Sequence, residues 1–270
     1  MATDREVLRE VWEGKIPLCI TIASGELNAI DEVESIYMMA PRCSYLPLCC
    51  ERVAEVCRKS QSASADESAD SPEVWFEYNG VPLKWHLPIG VLFDLHSDQH
   101  SLPWQLTAHC SNFPEGEIMR CQSNDVVEAH FMSRLKEADY LKHGGDVITA
   151  MQRPDHQALW SGVKSNKFEQ FWEVNRKLMN SGAFRNIPFY IHQRERPVTQ
   201  RLFQPQVSDD NTSARTLKQL LDCALPDLDL STSRVLLQGF EPPLDTPVQW
   251  LSEHLSYPDN FLHFVVRDRS

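Results

Sequence analysis

Apolar residues along the chain alternate, then recur at helical spacing, then alternate again, and these changes of period predict three domains. Thr3 and Glu6 read as a capping box ahead of Val7, Leu8, Val11 and Trp12, predicting a short helix that ends near Gly14. Residues 16–22 and 35–40 read as strands, the first alternating around Leu18, Ile20 and Ile22. A helix is predicted over about 46–58, with Pro47 tolerated in its first turn. Residues 60–72 (SQSASADESADSP) hold no large apolar side chain and read as a disordered loop. A strand at 74–78, the Asn79-Gly80 turn and a return strand at 82–85 form a hairpin. A short helix at 89–95 and a strand at 104–110 complete a β-grasp, the ubiquitin-like topology.

From Phe113 to Gly182 the pattern is helical, with helices expected at 125–143, 146–152, 154–163 and 166–179. Strand grammar returns at Ile187, Phe189 and Ile191, with 198–203 as a hairpin partner and 209–214 as a polar loop. Thr216 caps a helix carrying Leu217, Leu220, Leu221 and Ala224. A strand at 234–238, a short helix at 248–255 and a strand at 261–266 repeat the order of 16–110. Pro82-Leu83 and Pro243-Leu244 echo one another at matching places. The predicted fold is α+β: two ubiquitin-like β-grasp domains (1–112 with the N-terminal helix, and 183–270) flanking a helix-rich domain (113–182).

Within the central region, 125–143 (DVVEAHFMSRLKEADYLKH) forms the longest helical pattern, with Asp125 and Glu128 as a capping pair and Gly144-Gly145 as the stop. Val127, Phe131, Leu135, Ala138 and Leu141 fall on one stripe that must meet a core, so Lys136 projects outward. Ala129, Met132, Ser133, Asp139 and Tyr140 are expected around it. Taken alone, this pattern fits an ordinary solvated helix face.

Charge narrows the function classes. A net charge of −12 argues against a general nucleic-acid binder, which needs a basic footprint. No apolar run approaches the roughly 18 residues of a membrane span. The acidic N-terminal stretch has no apolar signal region, so a cytoplasmic location is expected. The eight cysteines (19, 43, 49, 50, 57, 110, 121 and 223) contain no CxxC pair and no zinc spacing, which predicts neither a metal site nor, in the cytosol, a disulfide. Cys43, Cys50 and Cys57 step by helical spacing and are expected as core residues. No phosphate loop, nucleophile elbow or HExxH motif occurs, and no cofactor is implied.

The run EAHFMSRLKEAD closely resembles the signature of the autophagy protein 5 family, and four more segments resemble that family in the same order: VWFEYNGVPLKWH, PIGVLFDL, FEQFWEVNRKLM and TPVQWLSEHLSYPDNFLH. The resemblance runs nearly end to end. It implies that Lys136 accepts the C-terminal glycine of the ubiquitin-like autophagy protein 12 through an isopeptide bond. It also implies transfer by the E2-like autophagy protein 10, charged by the E1-like autophagy protein 7, and a coiled-coil partner, autophagy protein 16. Val11 and Trp12 are the residues expected in a wall of that partner's groove. The assembled complex is expected to act as an E3-like scaffold for lipidation of autophagy protein 8 on phosphatidylethanolamine, with peripheral recruitment to the preautophagosomal structure and phagophore membrane. A lysine attacks a thioester only when neutral. Glu137 and Asp139 would favour the charged amine, so the activating environment must come from the enzyme. The competing reading is a Cys-dependent ligase or thioesterase, which requires a thiolate of depressed pKa.

Overall fold

The computed structural model describes residues 4–26, 34–62, 73–97, 101–145, 147–179, 184–206 and 214–269, the side chains at 58–62 excepted. Two compact units emerge, Gly14–His130 and a second made of Met1–Glu13 with Phe131–Ser270. Thr3 and the polar stretch 209–213 lie outside the described residues, as does 63–72 of the predicted loop.

Helix α1 (Asp4–Glu13) belongs to the second unit and is taken up there. The first unit opens with β1 (Lys15–Ile22) and β2 (Ile36–Pro41), then α2 (Leu46–Cys49) and α3 (Glu51–Ser62). One continuous helix was expected over 46–58. The chain breaks at Cys50 (φ −109°, ψ 28°), and α3 then runs into the stretch read as loop. The hairpin β3 (Trp75–Tyr78) and β4 (Val81–Pro82) turns through Asn79 and Gly80 at φ 50° and 78°. Both turn residues are left-handed, the type I′ geometry that Asn-Gly favours. The return strand is two residues long rather than four. Helix α4 (Ile89–His96) and β5 (Trp104–His109) complete a sheet of order β2-β1-β5-β3-β4. Strand β1 runs antiparallel to β2 and parallel to β5.

Ile16, Leu18, Ile20 and Ile22 are buried as their alternation predicts, and every residue from Ile89 to Leu95 is buried too. Asp94 tolerates that burial because Arg42 pairs with it and also donates to the Gly90 carbonyl at 3.3 Å. A disulfide joins Cys57 on α3 to Cys110 just after β5, with Cα atoms 6.0 Å apart. This corrects the expectation of no disulfide. The compartment argument concerns where such bonds persist, not which sulfurs the fold brings into reach.

The second unit contains α5 (Asn124–His143) from Phe131 onward, α6 (Arg153–Lys164) and α7 (Phe168–Met179). Residues 147–151 form turns, where a helix was predicted. A Cβ on Gly162 would lie 2.8 Å from the Phe171 backbone nitrogen, so glycine sets how closely α6 and α7 approach. Helix α1 packs on α7: Trp12 stacks on Phe171 with ring centroids 4.9 Å apart, and Glu169 pairs with Arg5 and Arg9.

Strands β6 (Ile187–Gln193), β7 (Thr199–Phe203), β8 (Ser233–Leu236) and β9 (Leu262–Asp268) form the second sheet, order β7-β6-β9-β8, with α8 (Leu217–Ala224) and α9 (Val248–His254). Gln219 Oε1 accepts from the Thr216 backbone N–H at 2.9 Å, closing a capping box at the start of α8. Strand β6 runs antiparallel to β7 and parallel to β9, so four strands repeat the arrangement β2-β1-β5-β3 of the first unit. The counterpart of Asn79-Gly80 is Gln238-Gly239 (φ 54° and 89°), followed by a single bridge between Leu237 and Phe240 where β4 would stand.

One face of this sheet packs Phe189, Ile191, Leu262 and Phe264 against Leu220, Leu221, Val248 and Leu251 of α8 and α9. The other face is covered as well: Tyr190 and Phe261 pack with Ala138 and Leu141 of α5. The sheet also holds a buried polar chain, with His192 Nε2 and His263 Nδ1 3.0 Å apart and His263 Nε2 and Asp259 Oδ2 2.9 Å apart.

Candidate functional site

Helix α5 presents Lys136 as its apolar stripe predicts. Val127, Phe131, Leu135 and Ala138 are fully buried, and Lys136 is exposed. The helix begins one residue earlier than expected, so Asp125 lies in its first turn rather than at the cap. Its acidic side chain there complements the N-terminal end of the helix dipole. Gly144 takes φ 67° and its N–H donates to the Tyr140 carbonyl at 2.8 Å, which ends the helix.

The surroundings of Lys136 differ from expectation at Asp139. That residue is buried, not beside the amine, and its Oδ2 accepts from the Ile148 backbone N–H at 2.8 Å. Lys142 is buried too, whereas Leu141 is only half-buried. Ile148 takes up Asp139, and Met179 and Phe184 lie against Lys142, so the buried face is wider over the last two turns of the helix. A 3.6-residue period carries no signal for that flank, and the charged letters hid it.

Glu137 is committed elsewhere. Its Oε2 accepts from Arg134 Nη1 at 2.8 Å and its Oε1 from Gln200 Nε2 on β7 at 2.6 Å. Gln200 Oε1 in turn accepts from the Tyr190 hydroxyl at 3.2 Å, and the Arg134 guanidinium lies 5.8 Å from the Tyr190 ring centroid. These four side chains form a closed ring that seats α5 on the second sheet immediately beside Lys136. Arg134, Tyr190 and Gln200 were not singled out from the sequence. Only the i, i+3 spacing of Arg134 and Glu137 offered a signal. Met132, Ser133 and Tyr140, one turn away along the helix, carry no charge.

Trp12 and Val11 occupy a different setting from the open groove wall expected of them. Trp12 is 4% exposed, in the core between Phe168 and Phe171, and Val11 packs half-buried against the core of the second sheet. The shallow cleft of about 350 Å³ between α1 and α7 is lined instead by Leu8, Phe168, Trp172, Arg5, Glu169 and Arg176 among others.

Three thiols sit in surroundings that disfavour the thiolate. Burial pushes Cys50 well above its ordinary value, raises Cys49, and lifts Cys121 to about 11. Cys43 and Cys50 are buried as predicted. Among the described residues no three His, Cys, Asp or Glu side chains converge as metal ligands. No helix among them is long and apolar enough to cross a membrane.

Two β-grasp sheets of matching strand order with a helical region between them in sequence define a tandem ubiquitin-like protein. Three family models match in order: the UblA domain of autophagy protein ATG5 over residues 11–110, its alpha-helical bundle region over 124–181, and its UblB domain over 186–266. Autophagy protein 5 of Drosophila melanogaster is 43% identical over 98% of both chains, and autophagy-related protein 5 of Caenorhabditis elegans is 30% identical over 97% of this chain and 98% of its own. The crystal structure of Kluyveromyces marxianus Atg5 shares the fold, with TM-score 0.81 over 97% of this chain and 100% of that one at 22% identity. The chain belongs to the autophagy protein 5 family. That membership gives it a role in autophagy and in its ubiquitin-like conjugation system.

Proposed function

We propose that the protein is a conjugation substrate and scaffold, accepting the ubiquitin-like autophagy protein 12 at Lys136 through an isopeptide bond. The carrying observation is an exposed amine, set on a rigid helix, whose neighbouring carboxylates Glu137 and Asp139 are both bonded elsewhere. Such an amine is available to attack a thioester brought by an E2-like enzyme, autophagy protein 10, charged by the E1-like autophagy protein 7. The bond that forms joins Lys136 Nζ to the modifier's terminal carbonyl, the thioester C–S bond breaks, and the proton leaves with solvent or an enzyme base. The conjugate, with autophagy protein 16 bound, then orients the thioester of autophagy protein 8 against phosphatidylethanolamine. Proximity alone can supply several kcal/mol to such a transfer, so the scaffold needs no nucleophile of its own. Three domains, 1–112, 113–182 and 183–270, carry these roles, and the complex is recruited peripherally from the cytoplasm to the forming autophagosome.

Lys136→Arg keeps charge and helix propensity but removes the nucleophilic amine. It is expected to leave folding intact and abolish the shifted conjugate on a blot from native cells. Persistence of that species at its normal level would assign the acceptor to another of the nine lysines. The Cys-dependent alternative needs a reactive thiolate, which raised thiol pKa values at Cys49, Cys50 and Cys121 oppose.

A further inference from the structure

The disulfide Cys57–Cys110 joins two unequal parts of the first unit. Cys57 lies in α3, and of the side chains described in that helix only Val53 and Cys57 are buried. Helix α4, by contrast, buries every residue from Ile89 to Leu95. Apolar burial therefore holds α4 far more firmly than α3.

Cys110 sits at a firmly held point. It directly follows β5, and its neighbours are pinned from several directions. The Glu26 carboxylate accepts from the Cys110 backbone N–H and, at 3.0 Å, from the Ser111 hydroxyl, and it lies 3.2 Å from His109 Nδ1. Trp75 stacks on His109 with ring centroids 4.0 Å apart, and its Nε1 donates to the Ser111 carbonyl at 2.8 Å. Loss of the sulfur bond leaves all of these contacts in place. It leaves α3 with two buried side chains and no covalent tie to the sheet. Segments with few buried apolar contacts are the ones that open locally.

The six other cysteines are free, and burial raises Cys49, Cys50 and Cys121 away from the thiolate. Disulfides of cytosolic proteins are usually transient, with catalytic or redox-sensing roles.

We propose that Cys57–Cys110 is a redox latch. Formed, it fastens α3 to the end of β5; reduced, it frees α3 to open while the sheet stays intact. The co-reactant is a small thiol–disulfide couple of the glutathione class. One cysteine thiolate attacks glutathione disulfide and releases one glutathione, and the second thiolate displaces the other glutathione from the mixed disulfide. Two protein thiols become one disulfide, glutathione disulfide takes up the two electrons, and the two protons end on its two thiols. Reduction is the reverse. The latch is independent of Lys136 as the acceptor, and it rests on the cytoplasmic location proposed above only for meeting this couple.

The test equilibrates the purified full chain in buffers running from reduced glutathione alone to mostly glutathione disulfide. After acid quench and alkylation, mass spectrometry measures the linked Cys57–Cys110 peptide. That peptide is expected to be absent at the reducing end and dominant at the oxidising end, with the other six cysteines alkylated throughout. Hydrogen exchange over residues 51–57 should be at least about tenfold faster in the reduced form, while residues 104–109 change by less than about twofold. Cys110→Ala leaves every side chain of α3 in place, and it should show the fast exchange of α3 in all buffers. Absence of the linked peptide across the whole series overturns the latch. A linked peptide that survives in reduced glutathione overturns it too, and makes the bond a permanent brace. Equal exchange of α3 in the two forms overturns the coupling of the bond to the helix. A protein found only in an oxidising compartment would defeat the location instead, a result that the purified system does not touch.

Discussion

Gln200 on β7 donates to the Glu137 carboxylate at 2.6 Å, although 63 residues separate them in sequence. The bond closes the ring of Arg134, Glu137, Gln200 and Tyr190, and it fastens the exposed face of α5 to the second ubiquitin-like sheet next to Lys136. A hydrogen bond to a charged acceptor at a partly exposed site contributes about 1 kcal/mol. Gln200→Ala is therefore expected to lower unfolding stability by about that amount. It should also speed amide exchange in the last turns of α5, as seen by hydrogen-exchange mass spectrometry. Exchange unchanged in α5 would show that apolar packing through Ala138 and Phe261 alone seats the helix.

Trp12 lies between Phe168 and Phe171, and its removal leaves a cavity rather than a bare surface. Trp12→Ala should cost about 3–5 kcal/mol, the range for deleting a buried aromatic. The loss should appear as a lower thermal midpoint and as release of α1, detectable by proteolysis near its end. A variant of unchanged midpoint that no longer captures a partner would return Trp12 to the role of an exposed docking residue.

Much of this architecture is legible in the sequence because the signals are local. The alternation of Leu18, Ile20 and Ile22, the Asn79-Gly80 turn, the Thr216 cap and the α5 stripe each depend on a few neighbouring residues. What escapes is whatever a distant element imposes. Tyr190 and His192 alternate on β6 and His263 lies opposite Tyr190 on β9, positions that would read as a solvated face, yet all three are buried. Asp139 and Lys142 carry charge, so no periodicity count places them inside. Cys57 and Cys110 are separated by 53 residues, and nothing in either local pattern pairs them. Lys136 is the instructive middle case. Its outward direction follows from spacing alone, but its neighbours Glu137 and Asp139 are engaged by Gln200 and Ile148, which no local pattern connects to it.

Gly162 meets the Phe171 backbone nitrogen closely enough that any side chain would force α6 and α7 apart. The obstacle is backbone, which cannot rotate aside. Gly162→Ala would gain helix propensity of up to about 1 kcal/mol in an open site. Here overpacking of about 1–3 kcal/mol should outweigh that gain. Denaturant unfolding is expected to show a lower midpoint for the variant, and a raised midpoint would mean the two helices separate without loss.

Lys142 is a buried amine in the second unit. Its amine is fully buried, 3.8 Å from Met179 Sδ and 4.8 Å from the Phe184 ring centroid. Desolvation lowers its pKa to about 7, against the opposing pull of Asp259, Glu253 and Asp139. A free lysine titrates near 10.4. Between those two values the unfolded chain binds a proton that the folded chain does not, so stability rises with pH across that window. Below about pH 7 both states are protonated and the full penalty of the buried charge is present. The total change is on the order of a few kcal/mol, because each pKa unit is worth about 1.4 kcal/mol. Lys142→Met fills similar volume without a charge. It should stabilise the protein most at pH 6–7, by about 1–3 kcal/mol, and progressively less towards pH 10. The measurement is the difference between wild-type and variant unfolding free energies across that range, since other titrating groups cancel in it. A difference that does not shrink as pH rises would mean that Lys142 is charged in the folded protein throughout, held by Asp139 and Asp259 as a buried ion cluster.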